Sequence, residues 1–293
     1  MPHFILCTSS TGMKADPFVY LFPALEGTDV TTWKFEFITV GLTFTAFALI
    51  LFAVCLASLL SGKFKSLSDV EKFTWCARIM KFFMFPIPIF TGFWYLAVDD
   101  TLHNDVVNAT TKTSFIAVYM FVGFCSLDCI LAAIGKLLFG RSYSNAIVVH
   151  HFVILSAYGS FIVFYNGKGH YLGMLGLLLE MAGPLTYINW VLGKAKLDHL
   201  RIWKLIQHVS IYFWYFRTAV ALYIFYVFIV NWDYIWTDLP LPMIVGVLLG
   251  TCILAVLTFD WTEKESKRLY KLYRSYSRKA IDYVAISGRR KTL

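Results

Sequence analysis

Residues 145–165 read NAIVVHHFVILSAYGSFIVFY. The stretch holds no Lys, Arg, Asp or Glu. At a helical rise of about 1.5 Å per residue, its length matches a hydrocarbon core of about 30 Å. It reads as a membrane-spanning helix. Two adjacent histidines, His150 and His151, interrupt it. Lipid offers an imidazole nitrogen no hydrogen-bond partner, so both rings must turn towards protein.

The rest of the chain repeats the pattern. Of 293 residues, 58% are hydrophobic and only 15% charged, against about 25% charged in an ordinary soluble domain. Apolar runs long enough to span recur at residues 37–60, 71–98, 114–138, 145–165, 170–192, 205–230 and 241–259. The expected fold is all-α: a polytopic membrane protein of about seven transmembrane helices. Short connections make neighbouring helices antiparallel. Residues 1–36 precede the first span, residues 37–260 form the transmembrane domain, and residues 261–293 form a basic tail. Residues 1–36 show no basic start, apolar h-region or small-residue cleavage site, so the first span is expected to act as the signal.

The net charge is +8. In a soluble domain that excess would point to nucleic acid. Here the basic residues sit in short loops and the tail, where they set topology and touch anionic headgroups, and no nucleic-acid motif is present. With the tail in the cytosol, that side carries Lys63, Lys65, Arg141, Lys194, Lys196, Arg201, Lys204 and ten basic tail residues, 17 in all. The other side holds only Lys14, Lys34, Lys112 and Lys168. The asymmetry puts the N-terminus in the lumen and the C-terminus in the cytosol. The lumenal loops DDTLHND (99–105) and NWDYIWTDLP (231–240) are acidic and aromatic. Asn108-Ala109-Thr110 is a glycosylation sequon on that side.

Six cysteines, Cys7, Cys55, Cys76, Cys125, Cys129 and Cys252, include no lumenal pair and no CxxC. Free thiols are expected, rather than a disulfide framework or a zinc site. The chain ends Arg289-Arg290-Lys291-Thr292-Leu293. Basic residues third and fourth from the end resemble the dilysine retrieval signal of endoplasmic-reticulum membrane proteins. That implies residence in the endoplasmic reticulum, cycling through the intermediate with the Golgi, and a coat-protein partner at the tail.

An ionisable group at the bilayer centre costs about 2.5–3.5 kcal/mol and should face a partner inside the bundle. The candidates are Arg78 and Lys81 in the second span, Asp128 in the third, His150 and His151 in the fourth, Glu180 in the fifth, and His208 and Arg217 in the sixth. Counted along each span, His150 lies roughly 8 Å deep, Asp128 roughly 15 Å, and Glu180 and Arg217 roughly 18 Å. Four helices could converge these groups on one polar site that opens to the cytosol. Tyr158 and His170 are further polar candidates for contact with substrate.

A neutral imidazole attacks a thioester, and its acyl adduct stays reactive. A carboxylate can hold the second ring nitrogen and stabilise charge on the ring. The expected catalytic set is His150, with His151 and Glu180. Asp128, Arg217, Lys81, Tyr158, His170 and His208 are the expected substrate contacts. The plain alternatives stand beside this. One imidazole could bond a carbonyl of a neighbouring helix and the other fill a wet cavity. Glu180 and Arg217 could be a buried ion pair that sets packing, and Asp128 could simply orient its helix. Metal is disfavoured, because the i, i+4 histidine spacing of helical zinc sites is absent.

The ordered run VVHHFVILSAYGSFIVFYNGKGHYLGMLGLLLEMAGP, with LHND after the second span, FWYFRTAVALY and the basic end, resembles the TLC-domain family. That family joins translocating-chain-associating membrane proteins, longevity-assurance ceramide synthases and the endoplasmic-reticulum proteins of the Northern-epilepsy form of neuronal ceroid lipofuscinosis. The resemblance is strongest to the last branch and covers roughly residues 35–262. It implies a ring of helices around a lipid-filled tunnel. In the ceramide-synthase branch, paired histidines and downstream acids mark the acyl-transfer site. His150 and His151 match the pair, and Glu180 matches the first acid. The second acid falls at Gly183, which counts against acylation of a sphingoid base.

Three functions follow. The first is an acyltransferase that takes a fatty acyl group from acyl-CoA, with no other cofactor, and passes it to a glycerophosphodiester such as glycerophosphoglycerol, or to a lysophospholipid. The second is a non-enzymatic receptor that loads lysosomal enzymes for transport to the Golgi. The third is a sensor of membrane lipids.

Overall fold

Every apolar run of the sequence is helical in the computed structural model. It describes residues 16–140, 145–165 and 167–290, with side chains except at 160–165, 272 and 275–290. Cys7, Lys14, Arg141 and residues 291–293 of the retrieval-like end lie outside the described residues. The chain forms α1 (Pro17–Leu21), α2 (Trp33–Ser58), α3 (Gly62–Lys65), α4 (Asp69–Phe82), α5 (Pro86–Ala97), α6 (Thr101–Asn104) and α7 (Lys112–Phe139). There follow α8 (Asn145–Tyr165), α9 (His170–Leu178), α10 (Ala182–Lys194), α11 (Arg201–Val230), α12 (Trp232–Asp238) and α13 (Leu241–Arg290). Among the described residues there is no strand.

Six stretches are long and apolar enough to cross a membrane: Trp33–Ser58, Asp69–Ala97, Lys112–Phe139, His170–Lys194, Arg201–Val230 and Leu241–Lys271. The 21-residue α8 is a further apolar helix, packed against α7 and α13. The protein is therefore an all-α polytopic membrane protein. Helix α7 is central and largely buried, whereas α2 shows most of its surface outward. Phe37, Leu42, Leu49 and Phe52 of α2 are exposed, as suits a helix solvated by lipid. Close packing of α2 on α7 depends on Gly123. A Cβ there would stand 2.5 Å from the Val40 carbonyl oxygen, and small residues permit such backbone approach in membranes.

Polar residues start the helices at the ends of the bundle. The Thr32 hydroxyl accepts from the Phe35 amide at the start of α2. Ser68 and Glu71 form a capping box at the start of α4. The second Glu71 oxygen meets Lys194 at the end of α10, so one carboxylate caps a helix and ties two helices together.

Two spans are broken in mid-course, and proline breaks both. Proline has no N–H and clashes with the carbonyl four residues earlier. Pro184 lies four residues after Glu180. The chain turns at 179–181, and the Gly183 amide reaches the Glu180 carbonyl instead, at 3.3 Å. Pro86 and Pro88 do the same between α4 and α5, where residues 83–85 turn. Irregular backbone at membrane depth is tolerated only where protein or a cavity covers it. Both breaks border the cavity described next.

The basic tail continues the last helix: α13 runs unbroken to Arg290. Among the described residues the thiols are free, but only Cys76 and Cys125 are buried; Cys55 and Cys129 are half-buried and Cys252 is exposed.

Candidate functional site

A cavity of about 520 Å³ opens between α4, α8, α10, α11 and α13. Glu71, Lys194 and Lys264 stand at its mouth, at the bundle end that carries the basic loops. Tyr187, Trp190, Trp214 and Trp261 supply aromatic wall, and His150, His151, Glu180 and Arg217 line its inner part. Beyond His151 the space narrows to a pocket of about 30 Å³, between Lys81, Asp128, Glu180 and the rings of Phe121 and Phe124.

Each histidine has its own carboxylate. His150 Nε2 lies 3.3 Å from Glu180 Oε1. His151 Nε2 lies 2.8 Å from Asp128 Oδ2, and Lys81 Nζ lies 2.7 Å from the other oxygen of Asp128. All of these groups are buried except Glu180, whose side chain keeps 21% exposure. The Lys81–Asp128 and His150–Glu180 contacts are at ion-pair distance. Nδ1 of each histidine is buried without a hydrogen-bond partner.

Helix geometry explains the convergence. Adjacent residues on a helix point about 100° apart. His150 and His151 therefore turn towards different neighbours, and their ring centroids sit 5.4 Å apart. Glu180 reaches the pair because Pro184 ends α9 early and leaves that residue in a turn. His150 also meets the Trp261 ring edge-on at 5.2 Å.

The alternative, a close Glu180–Arg217 ion pair, is not formed: Glu180 is at ion-pair distance from His150 instead. Arg217 instead donates from Nε to Thr258 Oγ1 at 3.0 Å and lies over the rings of Trp214 and Trp261, at 5.2 and 5.4 Å. Its charge is satisfied by aromatic faces, while Nη2 has no partner. Arg78 lies over Trp190 at 4.5 Å and over Tyr187 at 5.8 Å.

His150, His151, Glu180, Asp128, Lys81 and Arg217 thus gather at one place. Tyr158, His170 and His208 stand apart from it. Tyr158 donates to the Gly173 carbonyl at 2.6 Å. His170 Nδ1 meets Ser114 Oγ at 2.8 Å near the opposite end. His208 donates to the Lys204 carbonyl at 2.6 Å and contacts Tyr273. The aromatic wall and Thr258 were not singled out from the sequence. Trp214 and Trp261 each sit three residues from a member of the arginine site, and that helical spacing was the available signal. Among the described residues, no three His, Cys, Asp or Glu side chains cluster as a metal centre requires.

The chain is 30% identical to Protein CLN8 of Canis lupus familiaris over 245 residues, 82% of this chain and 84% of that protein. Identity and coverage are the same for Protein CLN8 of Mus musculus. For Protein CLN8 of Homo sapiens, identity is 29% over 227 residues, 76% of this chain and 78% of the other. No family model and no solved structure matches the chain.

Proposed function

This chain belongs to the CLN8 family, and we propose that it is an acyltransferase of the endoplasmic-reticulum membrane that serves lysosomal lipid homeostasis. Acyl-CoA is the donor, and a glycerophosphodiester or a lysophospholipid is the acceptor. The observation that carries this reading is the pair of unbonded Nδ1 atoms, each ring backed by a separate carboxylate, inside a cavity of about 520 Å³.

The reaction runs in two halves. His150, with its proton on Nε2 facing Glu180, attacks the thioester carbonyl through Nδ1. The C–S bond breaks, and the CoA thiolate leaves with a proton from solvent at the mouth. Glu180 stabilises the positive ring of the acyl-imidazole. An acceptor hydroxyl then gives its proton to His151 Nδ1 and attacks the acyl carbon. The C–N bond breaks, His150 is restored, and His151 returns its proton to solvent. Arg217 Nη2 and the Arg78 guanidinium, both on the cavity lining, suit an acceptor phosphate.

The test is exposure of purified protein to acyl-CoA, followed by mass spectrometry of the peptide that holds residues 145–165. We expect an acyl adduct on His150, and loss of transfer by roughly 10²–10⁴-fold in His150→Ala and His151→Ala. Unchanged lipid levels in cells carrying both substitutions would sink the enzyme reading.

A second reading, a receptor for lysosomal enzymes, is favoured by one feature. Trp232 and Trp236 of α12 stack at 5.5 Å and are exposed at the end remote from the cavity. Loss of lysosomal-enzyme transport on replacing these two rings, with His150 and His151 intact, would favour the receptor.

A further inference from the structure

The two histidines are not held alike. His150 meets a partly exposed carboxylate at 3.3 Å. His151 belongs to a closed chain of three buried groups, Lys81–Asp128–His151, with contacts of 2.7 and 2.8 Å. Resting on the acyl-transfer reading of this cavity, we propose that Lys81 is a positioning residue. By balancing Asp128 it keeps His151 a neutral imidazole, with the proton on Nε2 and the Nδ1 lone pair ready for the acceptor's proton.

The charge count around His151 supports this. Asp128 comes from α7, Lys81 from α4, Glu180 from the turn before α10, Tyr187 from α10 and His150 from the same helix. Arg217 of α11 lines the same cavity. Glu180 is turned to His150, so Asp128 is the anion in contact with His151. Asp128 is 2% exposed, and a buried carboxylate demands a compensating charge. Lys81 supplies it, its Nζ also set 5.6 Å from the centre of the Tyr187 ring. Remove that cation, and the nearest remedy is a second proton on His151, giving an imidazolium beside the carboxylate. The Nδ1 lone pair is then gone, and with it the base.

A lysine that only props the fold would leave the protons of His151 where they are. The test is therefore ¹⁵N NMR of histidine-labelled full-length protein in lipid nanodiscs at neutral pH. The His151 signals are assigned by their disappearance in His151→Gln. Wild type should show a protonated Nε2 and a bare Nδ1. Lys81→Met should protonate both nitrogens, Lys81→Arg should keep the wild-type pattern, and Lys81→Met with Asp128→Asn should return the ring to neutral. Acyl transfer should fall about 100-fold in Lys81→Met and recover to within about threefold of wild type in Lys81→Arg. A wild-type His151 protonated on Nδ1 overturns the proposal even if no variant folds. Unchanged His151 signals in Lys81→Met overturn it as well. The nitrogen pattern decides the role of Lys81 even where acyl transfer is absent, so the two failures are told apart.

Discussion

The two ends of the helix bundle treat polar groups in opposite ways. At the end remote from the cavity, partners are supplied. Asn108 Nδ2 donates to Tyr234 Oη at 2.7 Å and to Asp238 Oδ2 at 3.2 Å. Lys168 donates to the Asp238 carbonyl at 2.8 Å, and Tyr234 donates to Asp105 at 2.7 Å. Among the described residues, only Trp94 leaves a buried polar side-chain atom without a hydrogen bond on that side, whereas His150, His151, Arg217 and Asn189 do so on the cavity side, where Asp128 and Glu180 are met by charge pairing. Each such orphan costs about 1–3 kcal/mol. A fold that concentrates the cost around one hollow keeps those atoms for something other than stability.

The contrast is broken most severely at Asp128. Asp128→Ala strands a buried lysine, and a loss of about 3–5 kcal/mol is expected, read as a lowered denaturation midpoint in detergent. Arg217→Met should do the reverse. It removes a buried guanidinium whose Nη2 has no hydrogen bond and keeps apolar bulk, so stability is expected to hold or to rise by about 1–4 kcal/mol while acyl transfer is lost. If Arg217→Met destabilises as strongly as Asp128→Ala, the arginine is a structural group and the contrast fails. At the closed end, Asn108→Ala should cost about 1 kcal/mol for its lost hydrogen bonds, measured by the same unfolding assay.

The smallest effect is expected from acid. Burial raises the Asp105 carboxyl, but hydrogen bonds from the Asn108 amide, the Tyr234 hydroxyl and the Val107 amide outweigh it and hold the group below its ordinary range. A lowered folded pKa adds stability above the unfolded value of about 3.9, and that stability is lost as pH falls through the folded value. Between pH 5 and pH 3, the melting temperature of wild type should therefore fall more than that of Asp105→Asn. Equal falls would remove Asp105 from the account.

The helical spans were legible because hydropathy over some twenty residues reports the surrounding solvent directly. The site was legible for the same reason in reverse: His150, Glu180, Asp128, Lys81 and Arg217 are misfits in apolar runs. Their pairing was not legible. Residue counts along each span gave similar depths for Glu180 and Arg217 and a shallower one for His150, yet His150 meets Glu180. Such counts assume that all spans start in one plane, whereas α11 begins at Arg201 and the fifth span is broken at Glu180. Pro184, Pro86 and Pro88 carried the signal for the breaks. Tyr158, His170 and His208 looked equally misplaced, but Gly173, Ser114 and Lys204 give them local partners that hydropathy cannot show.

Helix α13 has a mechanical consequence. Thr258 and Trp261, which hold Arg217 and one wall of the cavity, belong to the same unbroken rod that ends at Arg290. At about 1.5 Å per residue, its outer arm reaches some 40 Å past Trp261. Any assembly that grips the far tip of this mast therefore has leverage on the chamber wall: a sideways pull at the end becomes a tilt at Trp261.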